Sequence, residues 1–396
     1  MIVAVIETND GGHNRWYFEC HLCSLLRLGH EVIAIAPFAR EVVSGLEMAL
    51  QDRVTAFDFG QFSKFERIIL RVLSKKNSFS AASYFRQRRL EKLLSTAEKE
   101  SGPIDFVFYG CLWIAELSGS ISLIERAGRA WGGLCLHLPQ FRAPAEISFR
   151  TSGDLAKVFS SPHCVGICLL DEFAVPWLKE RVSSKVLAHP EIVHVAKSER
   201  TNSFARLLRE RAKGRPIVSI SGHLVKTKGV EEFIRLAFER RFEKLFFVVV
   251  GAPGQLAQAT IAKLEASAQG EVENVYARLE RIADEDEFNG VFAASDLIWA
   301  AYRHFPNSSG IQGKAAMFGA PCVVSDGYLM AERNRRYSLG PIVEEGNINE
   351  LRQILTDLSV LEKREKWKSD IKRGLYFSEH GVNGLDGMFN EIVEAL

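Results

Sequence analysis

The chain of 396 residues has no excess of either charge, because 50 lysines and arginines stand against 49 aspartates and glutamates. The resulting net charge of +1 excludes the basic surplus that is typical of nucleic-acid-binding proteins. The seven cysteines form no spaced disulfide framework, so we expect free thiols in a reducing compartment. Cys20 and Cys23 lie in an apolar helical pattern, and no second pair stands at zinc spacing.

A long hydrophobic run is also lacking. The longest uncharged stretch, residues 245–262, is interrupted by Gly251, Pro253 and Gly254, which is typical of a strand and a loop. No basic region precedes the short apolar run at the N-terminus, so the pattern does not predict a signal peptide. We therefore expect a cytoplasmic protein.

Common nucleotide and metal fingerprints are missing as well. The loop after the first apolar run, Asn9-Asp-Gly-Gly-His13, contains neither the G-x-G-x-x-G of dinucleotide-binding folds nor a P-loop. Asp284-Glu-Asp286 has the spacing of a metal-binding D-x-D, but it opens a helical pattern in which carboxylates cap free N–H groups. We therefore expect no essential metal and no cofactor.

The sequence does contain two series of short apolar strands separated by helical patterns, an alternation typical of parallel sheets covered by helices. The predicted strands are Ile2–Ile6, Val32–Ala36, Phe106–Tyr109, Gly133–His137 and Val165–Leu170, then Pro216–Ser221, Leu245–Val250, Asn274–Ala277, Leu297–Ala300 and Pro321–Ser325. This predicts an α/β fold with two doubly wound parallel-sheet domains facing a cleft. The expected division is an N-terminal domain 1–195, a basic linker 196–214, a C-terminal domain 215–364, and helices in 365–396 that pack back across the hinge.

The segment 62–92 is unusually basic, with nine lysines and arginines against Glu66 and Glu91. Within it, Phe65, Ile68, Ile69, Val72 and Leu73 recur at the spacing of one helix face. We favour a surface helix whose apolar face packs against the sheet. A basic amphipathic helix that lies on an anionic membrane remains the alternative.

Two stretches in the second series are suited to phosphate binding. The strand ending at Ser221 is followed by Gly222, His223 and Lys228, in a loop that offers cations at the carboxyl edge of the sheet. About ninety residues later, HFPNSSGIQGKAA predicts a helix start with small side chains. Ser308 is the expected cap there, and the N–H groups of Ser309, Gly310 and Ile311 are expected to be free for an anion.

These stretches, with Gly251, Ala293-Ala-Ser-Asp296 and Ala320-Pro-Cys-Val-Val-Ser-Asp326, resemble the donor half of GT-B glycosyltransferases. The likeness is greatest to family 4, whose members retain anomeric configuration and use nucleotide-diphosphate sugars. It is specific in 216–326 and weaker in the first domain, where Gly11-Gly12 and Gly29-His30-Glu31 match.

The resemblance implies roles for particular residues. Lys228 and the helix start at Ser309-Gly310 would bind the donor diphosphate, and His223 stands where the family usually has arginine. In the first domain, Gly12 would approach the diphosphate, and His137 matches the active-site histidine beside the transferred sugar. Gly251, Arg281, Asn307 and Lys314 would neighbour the nucleotide and sugar, while His13 and Arg15 would lie on the acceptor side.

One position departs from the family pattern. Family 4 usually carries two glutamates separated by seven residues, of which the second accepts hydrogen bonds from the ribose. Lys314 stands at that second position, and the first falls near Pro306 or Asn307. Because an ammonium group donates and cannot accept, ribose recognition must be arranged differently.

The resemblance implies a metal-independent transferase that moves a sugar from a nucleotide-diphosphate sugar to a glycan or lipid-linked acceptor, as in polysaccharide biosynthesis. Two alternatives remain open. A sugar-nucleotide epimerase on the same fold would need carboxylates in the cleft, for which Asp171 and Glu172 are the adjacent pair. A sugar-nucleotide-binding protein without activity is compatible with the missing glutamates.

Overall fold

The computed structural model describes residues 1–10, 14–60, 63–72, 75–112, 114–136, 158–194 and 198–396. The chain divides into two compact units. The first unit comprises Met1–Ile192 and His380–Leu396, and the second comprises Val193–Glu379. The chain therefore enters the second unit once and returns to the first for its last residues.

The first unit is built on a seven-stranded parallel sheet with the order β3-β2-β1-β4-β5-β6-β7. Its central strands are almost entirely apolar, because a parallel sheet is covered on both faces. The strands are β1 (Ile2–Ile6), β2 (Glu31–Ala36), β3 (Val54–Asp58), β4 (Phe106–Tyr109), β5 (Trp131–Cys135), β6 (Cys164–Leu169) and β7 (Lys185–Ala188).

Helices cover both faces of this sheet. Helix α1 (Asn14–Arg27) buries Phe18, Leu22 and Leu25 at helical spacing. The other helices as far as Lys179 are α2 (Ala39–Ser44), α3 (Met48–Gln51), α4 (Lys64–Val72), α5 (Lys75–Ser101), α6 (Ile114–Ala127) and α7 (Val175–Lys179). None of the helices in the described ranges is long and apolar enough to cross a membrane.

The second unit contains a six-stranded parallel sheet with the order β10-β9-β8-β11-β12-β13. Its strands are β8 (Ile217–Ser221), β9 (Phe246–Val250), β10 (Val275–Arg278), β11 (Leu297–Ala300), β12 (Cys322–Ser325) and β13 (Ile342–Val343). The helices from residue 199 onward are α8 (Glu199–Ala212), α9 (Val230–Ala237), α10 (Gln258–Ala268), α11 (Glu285–Ala294), α12 (Gly310–Phe318), α13 (Leu329–Tyr337), α14 (Ile348–Leu358), α15 (Leu361–Asp370), α16 (Arg373–His380) and α17 (Val382–Val393).

Both sheets confirm the prediction of two doubly wound parallel domains. The sequence pattern missed β3, β7 and β13, which all lie at sheet edges. Edge strands are buried on fewer sides and carry polar residues, as in VTAFD, or are very short, as with the two residues of β13. Their apolar signal is correspondingly weak.

From Ser198 onward, the predicted linker 196–214 is mostly a helix of the second unit, although its basic composition suggested a linker. Ser198 caps α8 by accepting a hydrogen bond from the Thr201 N–H at 3.3 Å. Phe204 and Leu208 of α8 are buried in the second unit, where α8 packs against α11. The exposed arginines of α8 produced the basic composition, so charge alone was misleading here.

The C-terminal helices are also divided differently from the expectation for 365–396. Residues up to Glu379 belong to the second unit, while His380 and the following residues belong to the first. Leu385, Phe389 and Ile392 of α17 are buried in the core of the first unit. Asp386 joins α17 to α1 through an ion pair with Arg27 at 2.7 Å.

Candidate functional site

The loops after β8 and β9 lie backbone against backbone at the carboxyl edge of the second sheet. The Gly222 N–H donates to the Val250 carbonyl at 2.9 Å, and the Leu224 N–H donates to the Ala252 carbonyl at the same distance. Gly251 has a φ of +146°, and a β-carbon there would stand 1.7 Å from the Gly222 oxygen. Only glycine fits at position 251, which places the Gly222 loop at the sheet edge.

Lys228 turns its ammonium group back toward this edge. Its Nζ lies 3.4 Å from the Ser221 carbonyl oxygen and 5.5 Å from the centre of the Tyr302 ring. Within the described ranges, no carboxylate lies within ion-pair distance of it. Burial lowers the pKa of Lys228 to about 8, because the desolvated ammonium has no anion beside it. The site therefore carries a positive charge that lacks a counterion.

The loop after β11 is attached to the same turn. Gly229, with a φ of +72°, would bring a β-carbon within 2.8 Å of the Ala301 oxygen. The Arg303 N–H donates to the Thr227 carbonyl at 2.7 Å, and the Arg303 guanidinium pairs with Glu232 at 2.5 Å. The two loops that hold the predicted phosphate ligands therefore form one connected structure.

The start of α12 presents backbone N–H groups that have no acceptor among the described residues. Ser309 is the N-cap, its side chain caps no N–H group, and the first turn contains no acidic residue. In the part of the chain that the structure describes, the N–H groups of Gly310 and Ile311 have no acceptor. A positive partial charge at a helix start stabilises an anion by about 0.3–1 kcal/mol, and more where it is sheltered.

The cap lies one residue later than expected, at Ser309 rather than Ser308. The sequence alone could not distinguish the two, because either serine suits an N-cap. The helix start also lies close to Lys228. A β-carbon on Gly222 would be 2.8 Å from Lys228 Nζ and 4.0 Å from the Ile311 side chain.

The approach to α12 contains a residue in an unusual conformation that the sequence pattern did not single out. His304 has a φ of +49° although it is not glycine. Glu345 holds it there, because its carboxylate accepts from the His304 N–H at 2.9 Å and lies 3.1 Å from the imidazole Nδ1. Such strained residues are found where surrounding contacts position a functional loop.

The remaining residues expected near the donor lie on the same edge or its loops. His223 is exposed, and its ring lies against Gly254, where a β-carbon would be 2.9 Å from Nε2. Arg281 is exposed in the loop after β10, and Asn307 is half-buried two residues before the cap. The His223 and Arg281 side chains are therefore accessible to a ligand, and that of Asn307 is accessible in part.

Lys314 is placed differently from the expectation that it neighbours the nucleotide. Its side chain is buried, and its Nζ donates to the His194 carbonyl at 2.7 Å and to Asn289 Oδ1 at 2.6 Å. Glu285 completes the set with a carboxylate oxygen at 2.9 Å. With three oxygen partners, the ammonium group ties α12 to α11, and its role in this structure is packing.

In the first unit, Gly12, His13 and His137 lie outside the described residues. Arg15 pairs with Glu41 at 2.8 Å, so its charge is already neutralised in part.

Asp171 accepts a hydrogen bond from the Phe173 N–H at 3.1 Å as the cap of a short 3-10 turn. A Glu172 carboxylate oxygen lies 3.5 Å from His380 Nε2. Both carboxylates of the epimerase hypothesis therefore have structural contacts.

Asp284, the first residue of the acidic triplet 284–286, caps the helix that the sequence pattern predicted there. Asp284 caps α11 by accepting from the Glu287 N–H at 2.9 Å. Across the described residues there is no group of three histidine, cysteine or acidic side chains arranged to hold a metal ion.

No family model and no curated protein matches the sequence. Solved structures match it over nearly the whole chain. HepE from Anabaena, in complex with UDP and glucose, is 15% identical with a TM-score of 0.66, covering 100% of both chains. Sucrose-phosphate synthase from Thermosynechococcus elongatus is 12% identical with a TM-score of 0.67, covering 100% of this chain and 98% of its own.

The UDP-forming α,α-trehalose-phosphate synthase from Burkholderia vietnamiensis is also 12% identical, with a TM-score of 0.68 and coverage of 99% and 97%. These proteins share two parallel-sheet α/β domains, the GT-B fold, and the present chain has this fold. At such low identities the likeness defines the fold, while the chemistry depends on the site described above.

Proposed function

We propose that this chain is a glycosyltransferase that transfers a sugar from a nucleotide-diphosphate sugar to a glycan or lipid-linked acceptor. The observation that carries the proposal is the half-buried ammonium of Lys228, which has no carboxylate partner among the described residues and lies beside the unpaired N–H groups at the start of α12. A diphosphate supplies the missing negative charge and the missing acceptors at once. The complexes of HepE from Anabaena with UDP, and with UDP-glucose, support this choice of ligand.

In this proposal Lys228 binds one phosphate and the Gly310 and Ile311 N–H groups bind another. Negative charge accumulates on the leaving diphosphate as the bond to the sugar breaks. Donors that are already oriented stabilise that charge without reorganisation, which is the usual source of the largest rate gain. The Arg303–Glu232 and His304–Glu345 contacts keep both groups of donors in position.

We also propose that the reaction proceeds with retention and without an essential metal. Lys228 and the helix start provide the positive charge that a cation would otherwise supply. The proposed location is the cytoplasm, which agrees with the seven free cysteines. Polysaccharide biosynthesis is the process to which such a transferase would contribute.

The direct test is product analysis with a panel of nucleotide-diphosphate sugars, with and without glycan and lipid-linked acceptors, in the presence of EDTA. We expect a glycosylated product only when an acceptor is present. Sugar isomerisation without acceptor would identify an epimerase, and donor binding without turnover would identify a binding protein. A thermal-shift screen against nucleoside diphosphates comes first, because selective ligands stabilise the fold by mass action.

A further inference from the structure

Helix α4 presents large apolar side chains to solvent. Phe65 is 71% exposed, Ile68 58% and Val72 81%, and no residue of the helix is buried. The interpretation favoured from the sequence, in which this apolar face packs on the sheet, is therefore wrong. The sequence pattern correctly predicted a helical periodicity for these residues. The side of α4 that faces the protein, however, is the one opposite to the exposed apolar side chains.

The inward side of α4 is formed by Glu66, Ile69 and Leu70, which are all half-buried. Glu66 pairs with Arg89 of α5 at 3.1 Å and also accepts from the Ser63 N–H. This ion pair uses the one acidic residue of α4. The outward side consequently carries no negative charge of its own.

Basic residues accompany the exposed apolar ones. At 3.6 residues per turn, Lys64, Arg67 and Arg71 lie next to Ile68 on the outward side, and all three are exposed. Arg88 of α5 is exposed too, and after the hydrogen bonds from Ser63 and the charge of Arg89 it also contributes to the lowered pKa of Glu66. The outward side is thus an apolar strip bordered by cations.

We propose that this side of α4, hereafter the α4 surface, binds the interface of an anionic lipid membrane. Phe65, Ile68 and Val72 would enter the boundary between headgroups and acyl chains, while Lys64, Arg67 and Arg71 would contact lipid phosphates. The proposal concerns a surface outside the donor site and does not depend on the proposed reaction.

Size and charge favour a membrane over a protein partner. A nine-residue helix is about 14 Å long, whereas a stable protein interface buries about 800 Å² on each side. The exposed apolar side chains suit the hydrocarbon region of a membrane, and the cations that border them suit the lipid phosphates at its surface. Exposed apolar side chains in such a cluster mark an interaction site.

The position of α4 agrees with a membrane-bound acceptor. In the sequence, α4 comes after β3. Because β1 and β3 run parallel in the same sheet, both strands end at its carboxyl edge. The chain leading to α4 therefore starts at the same edge as the loop after β1. Active-site loops of doubly wound sheets project from this edge. A membrane against the α4 surface would therefore be near the edge at which such a sheet binds ligands.

The test is sedimentation of the full chain with vesicles of phosphatidylcholine alone and with vesicles that also contain phosphatidylglycerol. We expect binding only to the anionic vesicles, with affinity that falls as salt rises. The double variant Arg67→Gln/Arg71→Gln should weaken binding about 30-fold, from about 1 kcal/mol for each basic residue. Phe65→Ser/Ile68→Ser should weaken it about tenfold or more, through lost apolar burial.

Matched controls come from the second unit. Leu361→Ser removes an apolar side chain that is 61% exposed, and Lys244→Gln removes an exposed cation. Both should bind vesicles as the wild type does, and all variants should keep their melting temperature because the changed side chains are exposed. Absence of binding to anionic vesicles at low salt would overturn the proposal. So would wild-type binding by both α4 variants, because another surface would then be responsible.

Discussion

The ammonium nitrogen of Lys228 lies 2.8 Å from the point where Gly222 would carry a β-carbon. Gly222 also has a φ of +92°, a conformation that favours glycine. Because glycine has no β-carbon, the Lys228 side chain can lie against the end of β8. The lysine remains half-buried there without a carboxylate partner among the described residues. This relationship leads to the next three predictions.

Lys228→Gln should weaken the binding of nucleoside diphosphate and of donor sugar together, by roughly 1.5–3 kcal/mol, because a charge-assisted contact is lost. Its melting temperature should not fall, since the change removes a desolvated charge. Lys226→Gln, in the same turn but exposed, is the matched control and should bind normally. Titration calorimetry measures both, and an unchanged diphosphate affinity for Lys228→Gln would exclude the assigned role.

Diphosphate binding should take up a proton near pH 8. Burial lowers the pKa of Lys228 to about 8 in the free protein, and a bound anion raises it again. Affinity should therefore fall as the pH rises above about 8. Calorimetry in two buffers of different ionisation enthalpy measures the uptake, and Lys228→Gln should show none in this range.

The same lowered pKa predicts the pH dependence of stability. Between about pH 8 and 10 the lysine of the unfolded chain holds a proton that the folded chain has lost, so the unfolding free energy rises with pH. Wild type should therefore gain stability relative to Lys228→Gln across this window. Chemical denaturation of both proteins at several pH values measures the difference, and a constant difference would show that Lys228 is not desolvated.

Gly310→Val should reduce diphosphate affinity far more than stability. A branched side chain in the first turn of α12 would occupy the space beside the free N–H groups, while its helix-propensity cost is under about 1 kcal/mol. Ser309→Ala is the control, and we expect less than about 0.5 kcal/mol of lost stability because the hydroxyl caps no N–H group. A folded Gly310→Val protein with normal donor affinity would contradict the phosphate site.

Lys314→Met should destabilise the second unit by about 1–3 kcal/mol and leave diphosphate affinity within a factor of about two. The loss follows because the buried Asn289 oxygen and the His194 carbonyl would lose their donor. Lys366→Met removes an exposed lysine that pairs with Asp370 and should change stability little. A large loss of nucleotide affinity in a stable Lys314→Met protein would instead assign Lys314 to the ligand.

His137→Ala tests the residue that the family resemblance places beside the transferred sugar and that lies outside the described residues. We expect a large decrease in kcat with nearly unchanged nucleoside-diphosphate affinity, because the histidine would act on the sugar rather than on the phosphates. Transfer assays and calorimetry on the same preparation separate the two quantities. A collapsed melting temperature would show that His137 supports the fold instead.

The sequence pattern was sufficient to predict those elements whose stabilising interactions involve residues close together in the chain. The apolar residues of β1 and β8 determine strands that are buried on both faces, and Asp284 is positioned by its own backbone to cap α11. The order strand, glycine, lysine and helix between Ser221 and Val230 likewise placed Lys228 at the carboxyl edge of a parallel sheet. In these cases the partners lie within a few residues in the sequence.

Only the tertiary structure decided which side of an amphipathic element faces the protein and which partner a buried charge has. The residues of α4 are compatible with burial of Phe65 or with its exposure, and the pair of Glu66 with Arg89, 23 positions away, selects exposure. Lys314 is equally suited to a ligand or to a buried network, and its contact with the His194 carbonyl, 120 residues away, selects the network. Sequence spacing cannot predict such contacts, because they depend on which distant segments the completed fold brings together.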